Sequence, residues 1–275
     1  MYFRFLALVC ALLAARGWCG TSFTMNPWIL VFEPHRKIIS QVVDFKYLSD
    51  AGGDAKTQGP VPNDEKNAPK PIEITISARE LTLEGKVIYP SSQGADDFVV
   101  YPSQFILYPG DVKKVQVQWV GAKVPDKEMS FGFISTQLPL NLEPKEKPKV
   151  PVGKVEMVTR YEGIIVVRPA NIRPLVVVDT AYARHDSTGT LMVVILNNKG
   201  TGMQSLKNID FGIAPLDQGG KIKFNERIKI SSKLTSAAAN QSLMAGFRRK
   251  VEIPWPAGLQ VGPIIVTAAF PDNPK

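Results

Sequence analysis

Residues 98–110 read Phe98-Val-Val-Tyr-Pro-Ser-Gln-Phe-Ile-Leu-Tyr-Pro-Gly110 and lead into a run where Val112, Val115, Val117 and Trp119 recur among Lys and Gln. Each piece is short, rich in β-branched and aromatic residues, and closed by Pro or Pro-Gly, the signature of strands punctuated by turns. The pattern extends outward through Trp28 to Phe32, Ile38 to Tyr47, Ile72 to Ala78 and Met129 to Thr136. It continues through Val155 to Tyr161, Ile164 to Val167, Leu191 to Leu196, Ile209 to Ala214, Ile222 to Phe224, Arg227 to Ile230, Arg248 to Ile253 and Gly262 to Phe270. No long segment carries the 3.6-residue period of an amphipathic helix, so the chain is predicted to be all-β and built of sandwiches, not an α/β enzyme. A fainter copy of the opening pattern, Ser242-Leu-Met-Ala-Gly246 before Arg248, fits two copies of one architecture.

The ends and joints of the chain differ in composition. Arg4 followed by the apolar run Phe5 to Ala15 and small residues reads as an export signal over residues 1–20, too short to span a bilayer. Cleavage after Gly17 places Ala15 and Gly17 at the small-residue positions, and Gly17-Trp18 before Cys19 does not supply a lipid-anchoring site. Cys10 leaves with the signal, so no intramolecular disulfide is expected and stability must come from burial. Residues 50–71, with Gly52-Gly53 and Pro60-Val-Pro62, read as a flexible surface insertion, and the proline-rich stretch Pro139 to Pro151 as a linker inside a domain. A domain boundary is placed at Arg168-Pro169-Ala170, where proline breaks the strand, giving domains 21–169 and 170–275.

Little points to catalysis. The formal charge is +8, of which Arg4 and Arg16 belong to the signal, and the densest basic run, Lys145 to Lys149, is interrupted by Glu146 and Pro148. That run reads as a solvated linker without the aromatic interleaving of a nucleic-acid site. His35 and His185, the chain's two histidines, belong to no metal-ligand cluster, so no metal or other cofactor is expected. Asp96-Asp97, adjacent in a strand-like segment, are expected on opposite faces as solvated carboxylates. Gly200-Thr-Gly202 lacks the third glycine and the helix that a dinucleotide site requires, and reads as a turn after a strand. No nucleophile–base constellation is present, and the chain is expected not to be an enzyme.

Three ordered segments resemble the periplasmic pilus and fimbrial assembly chaperones, the PapD-like family. They are Phe98 to Gly110, then Glu128-Met-Ser-Phe-Gly-Phe-Ile-Ser-Thr-Gln-Leu-Pro139, then Ile164-Ile-Val-Val-Arg168-Pro169; more faintly, Leu191 to Asn198 is similar to the strand that opens the second domain's core. The resemblance implies two immunoglobulin-like β-sandwich domains in tandem, a periplasmic location, no cofactor, and fibre subunits as clients with an outer-membrane usher as a further partner. It also implies strand donation, in which the last strand of the first domain is lent to an incomplete subunit sandwich. Val155, Met157 and Thr159 fall on the groove-filling positions, with Tyr161 next on the same face and Glu156 and Arg160 opposite as guards against aggregation. An ordinary strand buried against its own domain fits the same alternation. The family's carboxylate-binding basic pair matches Ile29 and Ile164 instead, so that either other bases such as Arg36, Lys37 or Arg160 serve the cleft or a subunit is not anchored that way. Glu128 and Arg168 match an interdomain ion pair, and the third acid of that network falls near Gly258. The competing reading is a structural or adhesive envelope sandwich that has lost its client site.

Overall fold

The computed structural model describes residues 22–48, 69–90, 94–139, 158–187, 189–230 and 242–271. Val155 and Met157 therefore lie outside the described residues, as do nearly all of the 50–71 insertion, the 139–151 linker after Pro139, and the export segment.

The first sandwich faces two sheets against each other. One contains β1 (Ser22–Asn26), β3 (Ser40–Leu48), β9 (Val112–Trp119) and β7 (Phe98–Tyr101), in that order. The other runs β2 (Ile29–Phe32), β11 (Arg160–Val167), β10 (Met129–Gln137), β4 (Lys70–Ala78) and β8 (Gln104–Leu107). Alternation does what the pleat requires. Val43, Phe45 and Tyr47 of β3 and Val115, Val117 and Trp119 of β9 point inward against Ile72, Ile74, Ile76, Phe131, Phe133, Ile165 and Val167. Phe98 meets Trp119 and Phe131 edge-on, each with ring centroids 5.0 Å apart. Each fully buried large side chain is worth about 1.5–3 kcal/mol of transfer free energy, which is how a sandwich without a disulfide holds together.

A short hairpin, β5 (Glu80–Leu81) and β6 (Val87–Ile88), leaves this sandwich and touches the second. That second sandwich has β12 (Val176–Asp186), β13 (Gly189–Asn198) and β18 (Arg248–Pro254) in one sheet. Opposite lie β16 (Ile228–Ile230), β15 (Asp210–Pro215) and β19 (Ile264–Ala269), with the small pair β14 (Gln204–Ser205) and β17 (Ser242–Leu243). Met192, Val194, Leu196, Phe211, Ile213 and Val251 form its separate core. Buried Asn198 fastens the turn after β13: its Nδ2 donates to Gly202 O (2.8 Å) and Leu243 O (3.0 Å), and its Oδ1 accepts from Gly200 N (3.0 Å). The segment Gly200-Thr-Gly202 is thus a turn, with no helix following it. The weak internal copy has a physical counterpart: Gly110 (φ +83°) and Gly246 (φ +81°) occupy equivalent turns closed by Asp111 N to Tyr108 O and Phe247 N to Met244 O.

Several sequence expectations change in detail. The strand ending at Tyr161 and that starting at Ile164 are one strand, β11, continuous through Gly163. Asp96 and Asp97 belong to a 3₁₀ turn, Ala95–Asp97, and not to a strand. Ile222 makes only an isolated bridge with Leu216, and Phe224 opens a second 3₁₀ turn. Strands β1 and β12 escape the sequence pattern. In β12 a bulge between Val178 and Thr180 shifts the parity, so that Val176 and Val178 and then Ala181 face the core and no period of two survives.

The candidate strand-pairing edge and its surroundings

In the antiparallel pair of β10 and β11, Gln137 N donates to Thr159 O at 2.9 Å. The alternation of such a ladder then turns the backbone groups of Tyr161, Gly163, Ile165 and Val167 toward β10, and those of Arg160, Glu162, Ile164 and Val166 to the opposite side. On that side β2 lies parallel to β11, with Ile29 opposite Ile164 and Phe32 opposite Val167; Ile164 N donates to Trp28 O, and Arg168 N to Phe32 O, both at 2.8 Å. The pairing stops there. Among the described residues no strand lies against Arg160 or Glu162, so their N–H and C=O groups face an open lane in line with β2. The lane closes at Gly163: a Cβ there would stand 2.7 Å from Trp28 O and 2.9 Å from Met25 Cε. Glycine is required at this point because the backbone of residue 28 passes directly over it.

The outer face of the open segment is charged and anchored. Arg160 Nη2 and Glu162 Oε1 pair at 3.1 Å, and Tyr89 donates its hydroxyl to Glu162 Oε2 at 2.9 Å. The Tyr89 ring covers Gly132 of β10, where a side chain would overlap it. Burial raises the Tyr89 phenol pKa above its ordinary value, and the hydrogen bond and negative charge of Glu162 raise it further. An edge strand that displays charge in this way resists indiscriminate pairing.

The residues expected to fill a partner's groove are distributed unevenly. Thr159 is half-buried on the inner face. Tyr161, on the same face, packs against its own domain, its ring edge-on to Phe23 with centroids 4.8 Å apart. The expected cleft bases are not gathered at one place. Arg160 sits at the open edge, paired with Glu162. Arg36 and Lys37 lie past the far end of β2, in the turn Pro34–Arg36, where Arg36 Nη1 meets Glu33 Oε2 at 3.2 Å and Lys37 adopts φ +60°. Ile29 and Ile164 are side by side through the parallel register, Ile29 exposed and next to the exposed Trp28.

Glu128 and Arg168 meet at 2.9 Å, the carboxylate side chain 6% exposed and the guanidinium 31%. Glu128 N also donates across the domain joint to Thr201 O at 2.8 Å. Gly258 occupies a turn at φ +82° and offers no third acid. The joint is reinforced by the β5–β6 hairpin, where Leu83 O accepts from Lys250 N (2.7 Å) and Lys250 Nζ stands 3.6 Å from Glu84. Sequence reasoning missed this hairpin and Tyr89; the lone glycine between Phe131 and Phe133 was the readable sign of a close approach.

Elsewhere the chemistry is sparse. His35 lies exposed in the first sandwich and His185 bonds Thr190 Oγ1 at 2.9 Å in the second. Among the described residues no three His, Cys, Asp or Glu side chains gather as metal ligands, and no helix is long and apolar enough to cross a membrane.

No protein-family model matches this chain, and no curated protein matches its sequence. The chain is similar to solved structures of fimbrial chaperones. With the class 5 fimbriae chaperone CfaA it shares 13% identity over 92% of this chain and 95% of that one, at a TM-score of 0.48. With a chain of the chaperone–tip adhesion subunit pre-assembly complex CsuC–CsuE of Acinetobacter baumannii it shares 13% over 86% and 90%, at 0.47. With a chain of the SafA pilin–SafB chaperone complex of Salmonella enterica it shares 12% over 85% and 84%, at 0.44.

Proposed function

We propose that this protein is an exported, periplasmic chaperone that holds subunits of a surface fibre by adding its own strand β11 to them. The observation that carries this reading is the open lane beside Arg160 and Glu162: among the described residues, these two successive outward-facing positions of β11 have no neighbouring strand where the pairing with β2 stops. A partner strand laid in that lane gains main-chain hydrogen bonds, each worth about 1 kcal/mol net, and these bind extended chain of any sequence. Val155, Met157 and Thr159 supply alternate side chains to the partner's groove, and Val and Met suit an apolar one. The order of the three sequence segments that resemble assembly chaperones supports the same reading, as does the leader at residues 1–20. The clients are fibre subunits, handed on to an outer-membrane usher, and neither cofactor nor nucleotide takes part. Tyr161 keeps its side chain in its own core and its backbone in the pairing with β10.

Proline tests this at the level of single N–H groups. Glu162→Pro and Arg160→Pro delete donors that face the lane and take no part in the pairing with β10, whereas Tyr161→Pro deletes a donor used within the fold. The first two variants are expected to remain folded by circular dichroism and to lose a subunit that co-purifies one-to-one with the wild type. Tyr161→Pro is expected to destabilise the domain. Retention of the subunit by both lane-facing variants would overturn the strand-addition reading. The adjacent Ile29 and Ile164, where a basic pair is expected, favour the second reading of an envelope sandwich without a client; in that case the wild type itself purifies alone.

A further inference from the structure

The β5–β6 hairpin is too small to hold its own shape. Its ladder has two residue pairs, Glu80 with Ile88 and Leu81 with Val87, and its apolar side chains Leu83 and Ile88 are each 37% exposed, so it buries little surface of its own. An isolated two-stranded hairpin is marginal in water, and the order of this one must come from what its ends touch. The turn is tight: Thr82 N donates to Lys86 O (2.9 Å), Gly85 N donates to Thr82 O (2.8 Å), and Gly85 takes φ +84°. At this tip Leu83 O accepts from Lys250 N of β18 at 2.7 Å, and Glu84 stands 3.6 Å from Lys250 Nζ. Gly85 lies so close over the guanidinium of buried Arg249 that a Cβ would overlap it. The other end runs directly into Tyr89, one residue past β6, whose ring covers Gly132 and whose hydroxyl donates to Glu162 at the open lane. The root adds a third touch, Arg79 Nη1 to Met244 Sδ at 3.3 Å.

We propose that the hairpin is a strap with two latches, Tyr89 at the open lane and the Leu83–Gly85 tip on the β18 edge, and that each latch holds only while the other does. With few contacts between them, the entropy cost of ordering the strap is offset only when both ends are docked. Freeing one end therefore loosens the other, and the coupling is reciprocal. A disturbance of Glu162 is thereby passed to the second sandwich. That a client strand supplies this disturbance rests on the strand-addition reading, whereas the latches belong to the free chain.

The test is native-state hydrogen exchange on the full exported chain without a client, followed amide by amide by ¹⁵N NMR. Asn198 N donates to Phe247 O and Trp255 N to Thr190 O, so the odd-numbered residues of β18 turn their backbone groups to β13 and the even-numbered ones turn theirs to the strap's side. The Lys250 amide therefore reads the tip latch, and the Val251 amide, on the side paired with β13, reads the sandwich itself. Tyr89→Ala should speed exchange at Lys250 roughly tenfold and Glu162→Ala about threefold, with Val251 unchanged in both. In the reverse direction, Gly85→Val drives the tip off Arg249, and Lys250→Pro deletes the N–H on the strap's side of an edge strand. Each should move the Gly132 and Glu162 amide resonances, although both of those residues lie in the first sandwich. Unchanged Lys250 exchange in Tyr89→Ala or Glu162→Ala, equal quickening at Val251, or unmoved Gly132 and Glu162 resonances in both tip variants would overturn the strap. Strand addition stands or falls separately, on the proline variants and their subunit.

Discussion

Removing the two members of the Glu128–Arg168 pair should have unequal costs, because the pair is buried from one end only. The carboxylate is 6% exposed and its one ion-pair partner among the described residues is Arg168, at 2.9 Å. Arg168→Met keeps the length of the side chain but leaves that carboxylate without a counter-charge in a site that water scarcely reaches. Breaking a buried pair in this way costs about 3–5 kcal/mol, and the 31% exposure of the arginine side admits enough solvent to place the value near the lower end, about 3 kcal/mol. Glu128→Gln is milder. The amide oxygen still accepts from Arg168 Nε, and the guanidinium left behind can be hydrated, so the loss should be about 1 kcal/mol. The difference of about 2 kcal/mol is roughly 30-fold in the folding equilibrium and is easily resolved by urea titration followed through the fluorescence of Trp119, buried in the first core. The double variant should lose less than the sum of the single losses, since its second change removes a group already stranded by the first. If Glu128→Gln proves as costly as Arg168→Met, or if the latter costs under about 0.5 kcal/mol, the carboxylate is not the buried partner described above.

Three further outcomes follow from contacts of the β5–β6 hairpin and its flanks. Gly132→Ala drives a methyl group into the Tyr89 ring and should destabilise by about 1–3 kcal/mol, a penalty that largely disappears in a Tyr89→Ala background; equal penalties in both backgrounds would show that the ring is elsewhere. Burial, and then Glu162, raise the Tyr89 phenol pKa above 10.0, so the native state holds that proton more tightly than the unfolded chain does. The resulting stability is whole below about pH 10 and is lost as pH rises through the higher folded-state pKa; denaturation at pH 9 to 11.5 should show this loss in the wild type and a smaller one in Tyr89→Phe. Arg249 is 5% exposed, burial lowers its pKa against the smaller opposing pull of the Glu84 charge, its Nε has no hydrogen-bond partner among the described residues, and its guanidinium lies against Gly85. Arg249→Met should therefore leave the melting temperature unchanged or raise it, and a fall equivalent to more than about 1 kcal/mol would show that the attraction of Glu84 outweighs the burial of the charge.

The strands that sequence reading located were those whose alternation is uninterrupted and whose ends carry Pro or Gly, as in Val112 to Trp119 and Met129 to Gln137. Reading failed where a local feature breaks the period. The bulge in β12 moves its inward residues from Val176 and Val178 to Ala181, and Gly163 looks like a break in β11 although it is a close approach to Trp28. Asp96-Asp97 misled for the opposite reason: two polar residues before Phe98-Val-Val read as the start of a strand, while the chain makes a turn first. At the candidate edge, parity alone placed Thr159 and Tyr161 on one face. Parity cannot say that Phe23, more than a hundred positions away, closes over Tyr161, nor that Tyr89 reaches Glu162.

The isoleucine pair shows how far counting positions can reach and where chemistry takes over. Ungapped matching lands on Ile29 and Ile164 as the two positions of the family's basic pair, and the parallel register of β2 and β11 makes these two isoleucines direct neighbours. What the pair does there depends on its environment. Arg160 is engaged by Glu162, and Arg36 pairs with Glu33 past the far end of β2, while Trp28 and Ile29 present apolar surface where the lane ends. A partner strand ending in that lane would meet hydrocarbon at its last residue, and an isolated carboxylate buried there would cost several kcal/mol. Ile29→Arg with Ile164→Lys tests the consequence directly. If strand addition is the function, the double change should leave the fold intact, because the outer face is partly exposed, and should shift preference toward partners that end in a free carboxylate. If the pair instead supports an envelope protein without clients, the same change should alter neither partner nor oligomeric state, and the two outcomes are read from a single co-purification.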